Sequence, residues 1–156
     1  MKMADTSKIN TTDIKLKKLR ENAEIPRYGT AFAAGADLCA AIDEPVTVEP
    51  GRTVPIGTGI ALEIPTGLAG LVFGRSGLAS KRDLAPANKV GVIDSDYRGE
   101  ITVMIRNHGS EPREIIPGER IAQIVFVPHI KGVFEEVDEL CGTERGEGGF
   151  GSTGRK

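Results

Sequence analysis

The residues with the clearest chemical potential lie in one stretch, Gly91–Glu100, which combines carboxylates, an aromatic ring and a planar cation. An apolar run, Val90–Ile93, leads into this turn, and a second alternating run leads out. The pattern predicts a β-hairpin or a β-arch. Asp94 stands where the first strand ends, and Tyr97 follows in the turn. A fixed carboxylate beside an aromatic ring suits proton abstraction next to a ring-bearing ligand, while an acidic surface turn is the simpler alternative.

A second stretch places a cation and a hydroxyl between glycines. Arg75 and Ser76 lie between Gly74 and Gly77, directly after a short apolar strand. Glycines let backbone N–H groups approach a ligand closely, and a guanidinium group matches phosphate oxygens. The stretch therefore indicates a phosphate site, with a surface turn as the alternative.

Three isolated polar residues are further candidates. Asn88 has a donor and an acceptor that match a pyrimidine edge, although a turn residue is the simpler interpretation. Gln123 lies inside the most apolar strand and needs a hydrogen-bond partner from the protein or from a ligand. Asp37 stands among small residues, where a carboxylate that caps a turn is the simpler interpretation.

The glycine-rich end of the chain, Arg145–Gly154, has the composition of a lid. Arg145 can grip phosphate oxygens, Phe150 offers a face for stacking on a base, and Ser152 and Thr153 add hydroxyl groups. The formal GxGxxG match here is not a dinucleotide fingerprint, because no helix can follow it. We expect a segment that closes over a nucleotide polyphosphate, with a low-complexity tail as the alternative.

The elements that position these residues are mainly short strands. With 156 residues, 20 Gly and 9 Pro, the chain is long enough for one domain of strands joined by tight turns. The only short helix predicted lies within Ala79–Leu84, before Pro86. Three regions follow: a flexible extension over residues 1–12, a β-domain over 13–142, and a mobile lid over 143–156.

Composition excludes several classes of function. The net charge of −2 does not indicate a nucleic-acid surface, and no apolar run approaches the length of a membrane span. The start of the chain lacks the apolar core of a signal peptide. Cys39 and Cys141 form no CxxC pair and are interpreted as free thiols in a reducing compartment. His108 and His129 are far apart in sequence, so a zinc site is not expected.

Taken together, these stretches resemble the trimeric dUTPase family. Five motifs match in the family's order: Ala34–Ala40, Gly74–Lys81, Gly91–Glu100, Gly118–Ile124 and Arg145–Gly154. One departure is Gly74, where the family usually has Pro. The resemblance implies an all-β, jelly-roll-like barrel or sandwich with one short helix. It also implies a homotrimer with a C-terminal arm over a neighbouring subunit, and active sites at the subunit interfaces that take residues from all three chains.

The implied reaction is hydrolysis of dUTP to dUMP and pyrophosphate, which limits uracil incorporation into DNA and supplies dUMP for thymidylate synthesis. The resemblance makes Asp94 the base that activates water for attack at the α-phosphorus. It makes Tyr97 the residue that packs on the deoxyribose and excludes a 2′-hydroxyl. Uracil would be bound by Asn88, Gly91, Val92 and Ile93, with Thr102 at the border of its pocket.

The remaining implied roles concern the phosphates and the metal. The phosphates would be bound by Arg75, Ser76, Gly77 and Gln123. Arg75 would also lie close to the carboxylate of Asp94, the general base. Phe150 would stack on uracil while the lid residues Arg145, Gly151, Ser152 and Thr153 close over the phosphates. Mg²⁺ would be chelated by the triphosphate and touched by Asp37 only through water. The alternatives are a dCTP deaminase of the same fold and a non-catalytic nucleotide-binding module. A cytoplasmic location without nucleic-acid or membrane partners is expected.

Overall fold

The structure, a computed structural model, describes residues 10–148. Short antiparallel strands and one helix surround a single apolar core in this part of the chain. The elements in chain order are β1 (Lys15–Lys18), β2 (Arg27–Tyr28), β3 (Ala36–Cys39), β4 (Val46–Val48), β5 (Thr53–Gly57), β6 (Ile60–Glu63), β7 (Leu68–Phe73), α1 (Ser76–Arg82), β8 (Leu84–Pro86), β9 (Val90–Ile93), β10 (Thr102–Asn107), β11 (Arg113–Ile115) and β12 (Arg120–Pro128).

The strands form four antiparallel sheets. The largest has the order β2-β3-β12-β7-β9, the next has the order β5-β10-β8, and the pairs β1-β6 and β4-β11 complete the set. None of these sheets, within residues 10–148, closes into a barrel. The all-β prediction is confirmed, and of the two expected forms the open sheets match a sandwich.

Strand β10 shows how the sequence builds the core. Its residues alternate between exposed and buried from Thr102 to Asn107, as the two-residue period of a half-buried strand requires. The inward positions include Ile105, which is fully buried, and Asn107. The buried Asn107 amide donates to the carbonyls of Val48 and Glu111 over 2.8 and 2.7 Å, so its burial leaves no donor unpaired.

The stretch after β9 is a β-arch. Strand β9 pairs with β7, whereas β10 pairs with β5 and β8, so the two strands that flank the turn belong to different sheets. The hairpin alternative is therefore wrong. Sequence periodicity describes each strand separately and does not say which strand is its neighbour.

The helix begins earlier than predicted. It spans Ser76–Arg82 and buries Leu78, where the sequence indicated a helix within Ala79–Leu84. It ends at Asp83, which has a left-handed φ of 57° and whose N–H reaches the carbonyl of Ala79. Because Leu84 is fully buried in β8, the chain must leave the helix before it.

Five strands were not predicted: β2, β3, β5, β8 and β11. They are two to five residues long, and Pro55 and Pro86 interrupt the apolar pattern of β5 and β8. Residues 131–148 form no strand, and the apolar side chains of Val133 and Phe134 are almost fully exposed, at 96% and 99%. The fold contains, over residues 10–148, no helix with the length and apolar character of a membrane span.

Candidate functional site

The β-arch carries a small cavity, which we call the arch pocket. Its volume is about 210 Å³, and its lining residues are Val92, Ile93, Asp94, Tyr97, Glu100, Ile101 and Thr102. Five residues predicted from the sequence are therefore brought together: Val92, Ile93, Asp94, Tyr97 and Thr102. The pocket combines one exposed carboxylate with an aromatic ring and aliphatic walls, which suits a ring-bearing ligand and a proton acceptor beside it.

The arch holds its own shape through hydrogen bonds. The Tyr97 N–H donates to the Asp94 carbonyl over 3.2 Å, which closes the turn that follows the carboxylate. The Arg98 guanidinium donates to the carbonyls of Ser95 and Tyr97 over 2.7 and 3.0 Å. Arg98 is thus a structural residue of the turn, and the charged residues that line the cavity are Asp94 and Glu100.

A second group of charges, which we call the arginine cluster, consists of Asp37, Arg75 and Arg120. Asp37 Oδ1 accepts from Arg75 Nε over 2.8 Å, and Asp37 Oδ2 accepts from Arg120 Nη1 over 3.1 Å. The Asp37 and Arg75 side chains are only 18% and 26% exposed. Because Asp37 holds Arg75 through Nε, the two terminal nitrogens of that guanidinium stay available for an anion.

Gln123 supports the arginine cluster from the neighbouring strand. Its Nε2 donates to the Gly74 carbonyl over 2.9 Å, and Gln123 pairs in register with Asp37 on one side and Phe73 on the other. A Cβ atom at Gly35 would lie 2.3 Å from Gln123 Oε1, so only glycine leaves room for this amide. The protein itself therefore supplies the partner that the sequence required for Gln123.

The remaining predicted residues near the cluster are exposed. Ser76 and Gly77 form the first turn of α1, directly after Arg75, and both are open to solvent. Asn88 lies in the turn before β9, and a Cβ atom at Gly91 would lie 3.4 Å from its Nδ2 atom. Asn88 and Gly91 thus lie side by side, outside the lining of the arch pocket.

The arch pocket and the arginine cluster lie at opposite ends of the β7–β9 pair. The register joins Phe73 to Val90 at one end and Gly70 to Ile93 at the other. Arg75 follows the first end and Asp94 follows the second. At about 3.3 Å per residue, the two side chains are separated by roughly 15 Å or more along the strand direction. One copy of the chain therefore does not bring Arg75 to Asp94.

A second cavity adjoins the arginine cluster. It has a volume of about 320 Å³, and its lining includes Glu24, Arg27, Asp37, Cys39 and Arg120. Burial, and secondarily the nearby Glu24 carboxylate, raise the pKa of the Cys39 thiol to about 11. The thiol is thus held in its neutral form and is a poor nucleophile at neutral pH.

Sequence reasoning missed Arg120 and Glu100, which contact predicted residues, and Arg20, which contacts Glu100. Arg120 pairs with Asp37, while Arg20 pairs with Glu100 beside the arch. Arg120 and Glu100 lie inside motifs that the sequence analysis had marked, so an unassigned charge within a motif was the available signal. Arg20 carried no such signal, because only the fold brings it to a residue 80 positions away.

The predicted lid lies mostly outside the described residues. Phe150, Gly151, Ser152 and Thr153 fall in the part of the chain that the structure does not describe. Arg145 is described, and its Nε donates to the Gly148 carbonyl over 2.8 Å. The roles predicted for these five residues therefore stay predictions.

Comparison with known sequences gives a consistent result. A family model described as dUTPase matches residues 21–154. A deoxyuridine 5′-triphosphate nucleotidohydrolase of Desulfitobacterium hafniense is 52% identical over 149 residues, covering 94% of this chain and 99% of the relative. The enzyme of the same name from Acinetobacter baylyi is 47% identical over 141 residues, covering 90% and 94%.

Solved structures agree with the sequence comparison. A mutant dUTPase of Staphylococcus bacteriophage 80alpha, solved with dUpNHpp, superimposes with a TM-score of 0.84 at 32% identity, covering 92% of this chain and 99% of that chain. A mutant dUTPase from phage phi11 of S. aureus, solved with a structural Mg(II) ion, has a TM-score of 0.74 at 28% identity, covering 82% and 98%.

Proposed function

This chain belongs to the dUTPase family and hydrolyses dUTP, and we propose that its reaction centre forms where the arch pocket of one copy meets the arginine cluster of another. The observation that carries the proposal is the β7–β9 register, which separates Asp94 from Arg75 within one copy. A base and a phosphate-binding cation must both reach one triphosphate, so a second copy has to supply one of them. The dCTP deaminase alternative receives no support from the family match or from the relatives.

In the proposed reaction, Asp94 is the general base. Its carboxylate accepts a proton from a water molecule whose oxygen attacks the α-phosphorus. The bond between that phosphorus and the oxygen bridging to the β-phosphorus breaks, and pyrophosphate leaves with the bonding electron pair. The products are dUMP and pyrophosphate. Asp94 lies at the end of a paired strand, so the backbone of β9 fixes where the proton is accepted.

The arch pocket is proposed to bind the nucleoside. Val92, Ile93 and Thr102 give it a narrow, mainly aliphatic lining, and Tyr97 adds a flat ring for the deoxyribose. Asn88 and Gly91, which lie side by side before and within β9, would serve the uracil edge through amide and backbone groups. A ribose 2′-hydroxyl or a thymine methyl group would need space that this lining fills.

The arginine cluster is proposed to bind the phosphates. Arg75 is held by Asp37 through one nitrogen only, and the exposed Ser76 and Gly77 follow it directly. Gln123 fixes the Gly74 carbonyl and so the start of this segment. From the lid of residues 143–156, Arg145, Gly151, Ser152 and Thr153 would close over the β- and γ-phosphates while Phe150 stacks on uracil.

A magnesium ion fits this scheme as a partner of the substrate. Within residues 10–148 no group of three or more His, Cys, Asp or Glu side chains is arranged to hold a metal. Both oxygens of Asp37 already accept from guanidinium groups, which is consistent with a contact to the metal through water. The triphosphate would supply the ligands, and the bound ion would neutralise charge on the phosphates.

A homotrimer is the proposed assembly. The exposed apolar side chains Ile130, Val133 and Phe134, each at least 96% exposed, are consistent with a C-terminal arm that another copy covers. Three copies around one axis would create three equivalent contacts between an arch pocket and an arginine cluster. The unpaired thiols Cys39 and Cys141 favour a reducing compartment, which supports the cytoplasm as the location.

The test is pyrophosphate release by the purified protein with Mg²⁺, comparing dUTP with dCTP, dTTP and UTP. We expect release from dUTP and little from the other three. The proposed pocket lacks space for the methyl group of dTTP or the 2′-hydroxyl of UTP, and the cytosine edge of dCTP presents different donors and acceptors from the uracil edge. Equal release from UTP would contradict the role of Tyr97. Binding of dUTP without release would point to a sensor, and deamination of dCTP would contradict the proposed chemistry.

A further inference from the structure

The arch is fastened to the rest of the domain by a charge pair that the reaction scheme does not use. Glu100 lies at the end of the arch, and its side chain is 23% exposed. One carboxylate oxygen accepts from Arg20 Nη2 over 3.0 Å, and the other accepts from the Gly59 backbone N–H over 2.8 Å. Arg20 Nη1 also donates to the Ala41 carbonyl over 2.9 Å. Four chain segments that are far apart in sequence therefore meet at this one carboxylate–guanidinium pair.

The packing around this carboxylate leaves it little freedom. A Cβ atom at Gly57 would lie 2.4 Å from Glu100 Oε1, so the carboxylate fits here because residue 57 has no side chain. The neighbouring Ile101 is buried, its N–H donates to the Ile60 carbonyl, and its carbonyl accepts from the Thr58 N–H. The end of the arch is thus fixed against the β5–β6 turn by both backbone and side-chain contacts.

The same residue controls Tyr97 through its backbone. The Tyr97 hydroxyl donates to the Glu100 carbonyl over 3.0 Å. A Cβ atom at Gly99 would lie 2.4 Å from the Tyr97 hydroxyl oxygen and 2.6 Å from its ring carbon Cζ. The ring therefore lies directly over Gly99 and is tethered at its far end to the residue that Arg20 and Gly59 hold in place.

We propose that Arg20 and Glu100 are positioning residues for Tyr97 and thereby set the preference for deoxyribose over ribose. The inference rests on the proposed contact between Tyr97 and the sugar. A ring that must exclude one hydroxyl group has to be held to a fraction of an ångström. Glu100 belongs to the lining of the arch pocket, but both of its carboxylate oxygens are engaged by Arg20 and Gly59. Arg20 and Glu100 act by fixing the carbonyl that orients the ring.

Another charge pair nearby provides a matched control. Lys15 Nζ and Glu63 Oε1 are 2.8 Å apart, but their side chains are 78% and 50% exposed. The hydrogen bond from Lys15 and its charge lower the pKa of the Glu63 carboxyl. It lies on the β1–β6 pair and lines neither cavity. Glu63→Gln removes the same charge as Glu100→Gln at a side chain whose hydrogen bond is to Lys15 and not to the arch.

The experiment measures kcat/KM for dUTP and for UTP in single and double variants. Glu100→Ala and Tyr97→Phe should each lower the dUTP-to-UTP ratio about five- to tenfold, the size expected for one lost orienting hydrogen bond. The double variant should lose no more than either single variant, because both act through one contact. Glu100→Gln keeps an acceptor for the Gly59 N–H and should recover part of the ratio, and Glu63→Gln should retain all of it.

Two results separate failure of the inference from failure of its premise. Tyr97→Ala removes the ring, so an unchanged ratio in that variant would contradict the sugar contact of Tyr97 and with it this inference. A ratio that falls in Tyr97→Ala but stays at the wild-type value in Glu100→Ala would overturn the inference alone. Melting curves for every variant report folding separately, and a purely structural role would lower the melting temperature without changing the ratio.

Discussion

The arch pocket and the arginine cluster solve the problem of holding a functional side chain in different ways. In the arch, Asp94 is placed by the end of a paired strand and by a backbone hydrogen bond across the turn, and it lines the cavity. In the cluster, Arg75 is placed by an ion pair, and both oxygens of Asp37 are engaged. A base must keep its carboxylate available for a proton, whereas a phosphate-binding cation can share its charge with a carboxylate and still use its free N–H groups.

The comparison also explains why neither region is sufficient. They lie at opposite ends of the β7–β9 pair, so one copy presents the proposed base at one end and the proposed phosphate ligands at the other. Both regions are open at the surface of the single chain. The antiparallel register that makes each region rigid is also what keeps them apart within one copy.

The largest effect is expected in the arch. Asp94→Asn removes the proton acceptor and preserves the shape of the side chain, so turnover should fall by about three orders of magnitude or more. Binding of dUTP should change little, because the aliphatic lining and Tyr97 are untouched. Steady-state kinetics and calorimetric titration with a non-hydrolysable dUTP analogue measure the two quantities. Near-normal turnover would show that another group is the base.

The next largest effect is expected in the reactivity of the Cys39 thiol, which lines the cavity beside the arginine cluster. Because the pKa of Cys39 is raised to about 11, its thiolate fraction at pH 8 should be about a hundredfold below that of an ordinary thiol. In a Cys141→Ser variant, alkylation by iodoacetamide should be slow and should accelerate up to about pH 11. The raised pKa also implies that this thiol's contribution to stability is lost as the pH rises from about 9 toward 11. Rapid labelling at pH 8 would contradict the burial of this cavity wall.

A smaller effect is expected when the arginine cluster loses the Asp37 carboxylate that joins its two arginines. Asp37→Asn keeps the shape but leaves Arg75 and Arg120 without their carboxylate, so Arg75 should no longer be held in one orientation. We expect KM for dUTP to rise about tenfold, with a smaller fall in kcat and a lower melting temperature. Glu63→Gln is the matched control on an exposed pair. A lower melting temperature with an unchanged KM would mean that the cluster only stabilises the fold.

Much of the fold could be predicted from the sequence because several strands show a clear apolar run or a clear alternation of apolar and polar residues. The alternating run Ile101–Ile105 predicted β10 to within two residues at either end, and the apolar run Val90–Ile93 predicted β9 to the residue. That the two strands lie in different sheets could not be predicted, since pairing depends on contacts between residues far apart in sequence. Leu84–Pro86 was missed because Leu, Ala and Pro show no alternation of apolar and polar residues.

The site was predictable where its functional side chains lie close together in the sequence. Asp94 and Tyr97 lie three residues apart, and the structure places both in one cavity. The hydrogen bond from Gln123 to the Gly74 carbonyl was not predictable, because it depends on the register of β12 against β7. The same holds for Arg20, which meets Glu100 only through the fold. Long-range pairs of this kind decide how the site residues are held.

The most direct test of the account is complementation between two inactive variants, Asp94→Asn and Arg75→Gln. The variants are co-expressed with different tags, and trimers that carry both tags are purified. If each site joins the arch pocket of one copy to the arginine cluster of another, every mixed trimer contains one site with both residues intact. Mixing Asp94→Asn with the double variant Arg75→Gln/Asp94→Asn is the control, because no copy then has an intact arch.

The account predicts that mixed trimers recover about a third of wild-type turnover, since one of three symmetric sites is rebuilt, while the control stays inactive. Recovery of that size would establish that the base and the phosphate ligands come from different copies. Mixed trimers that stay as inactive as their parents would contradict the central claim, because they would show that Asp94 and Arg75 must come from the same chain.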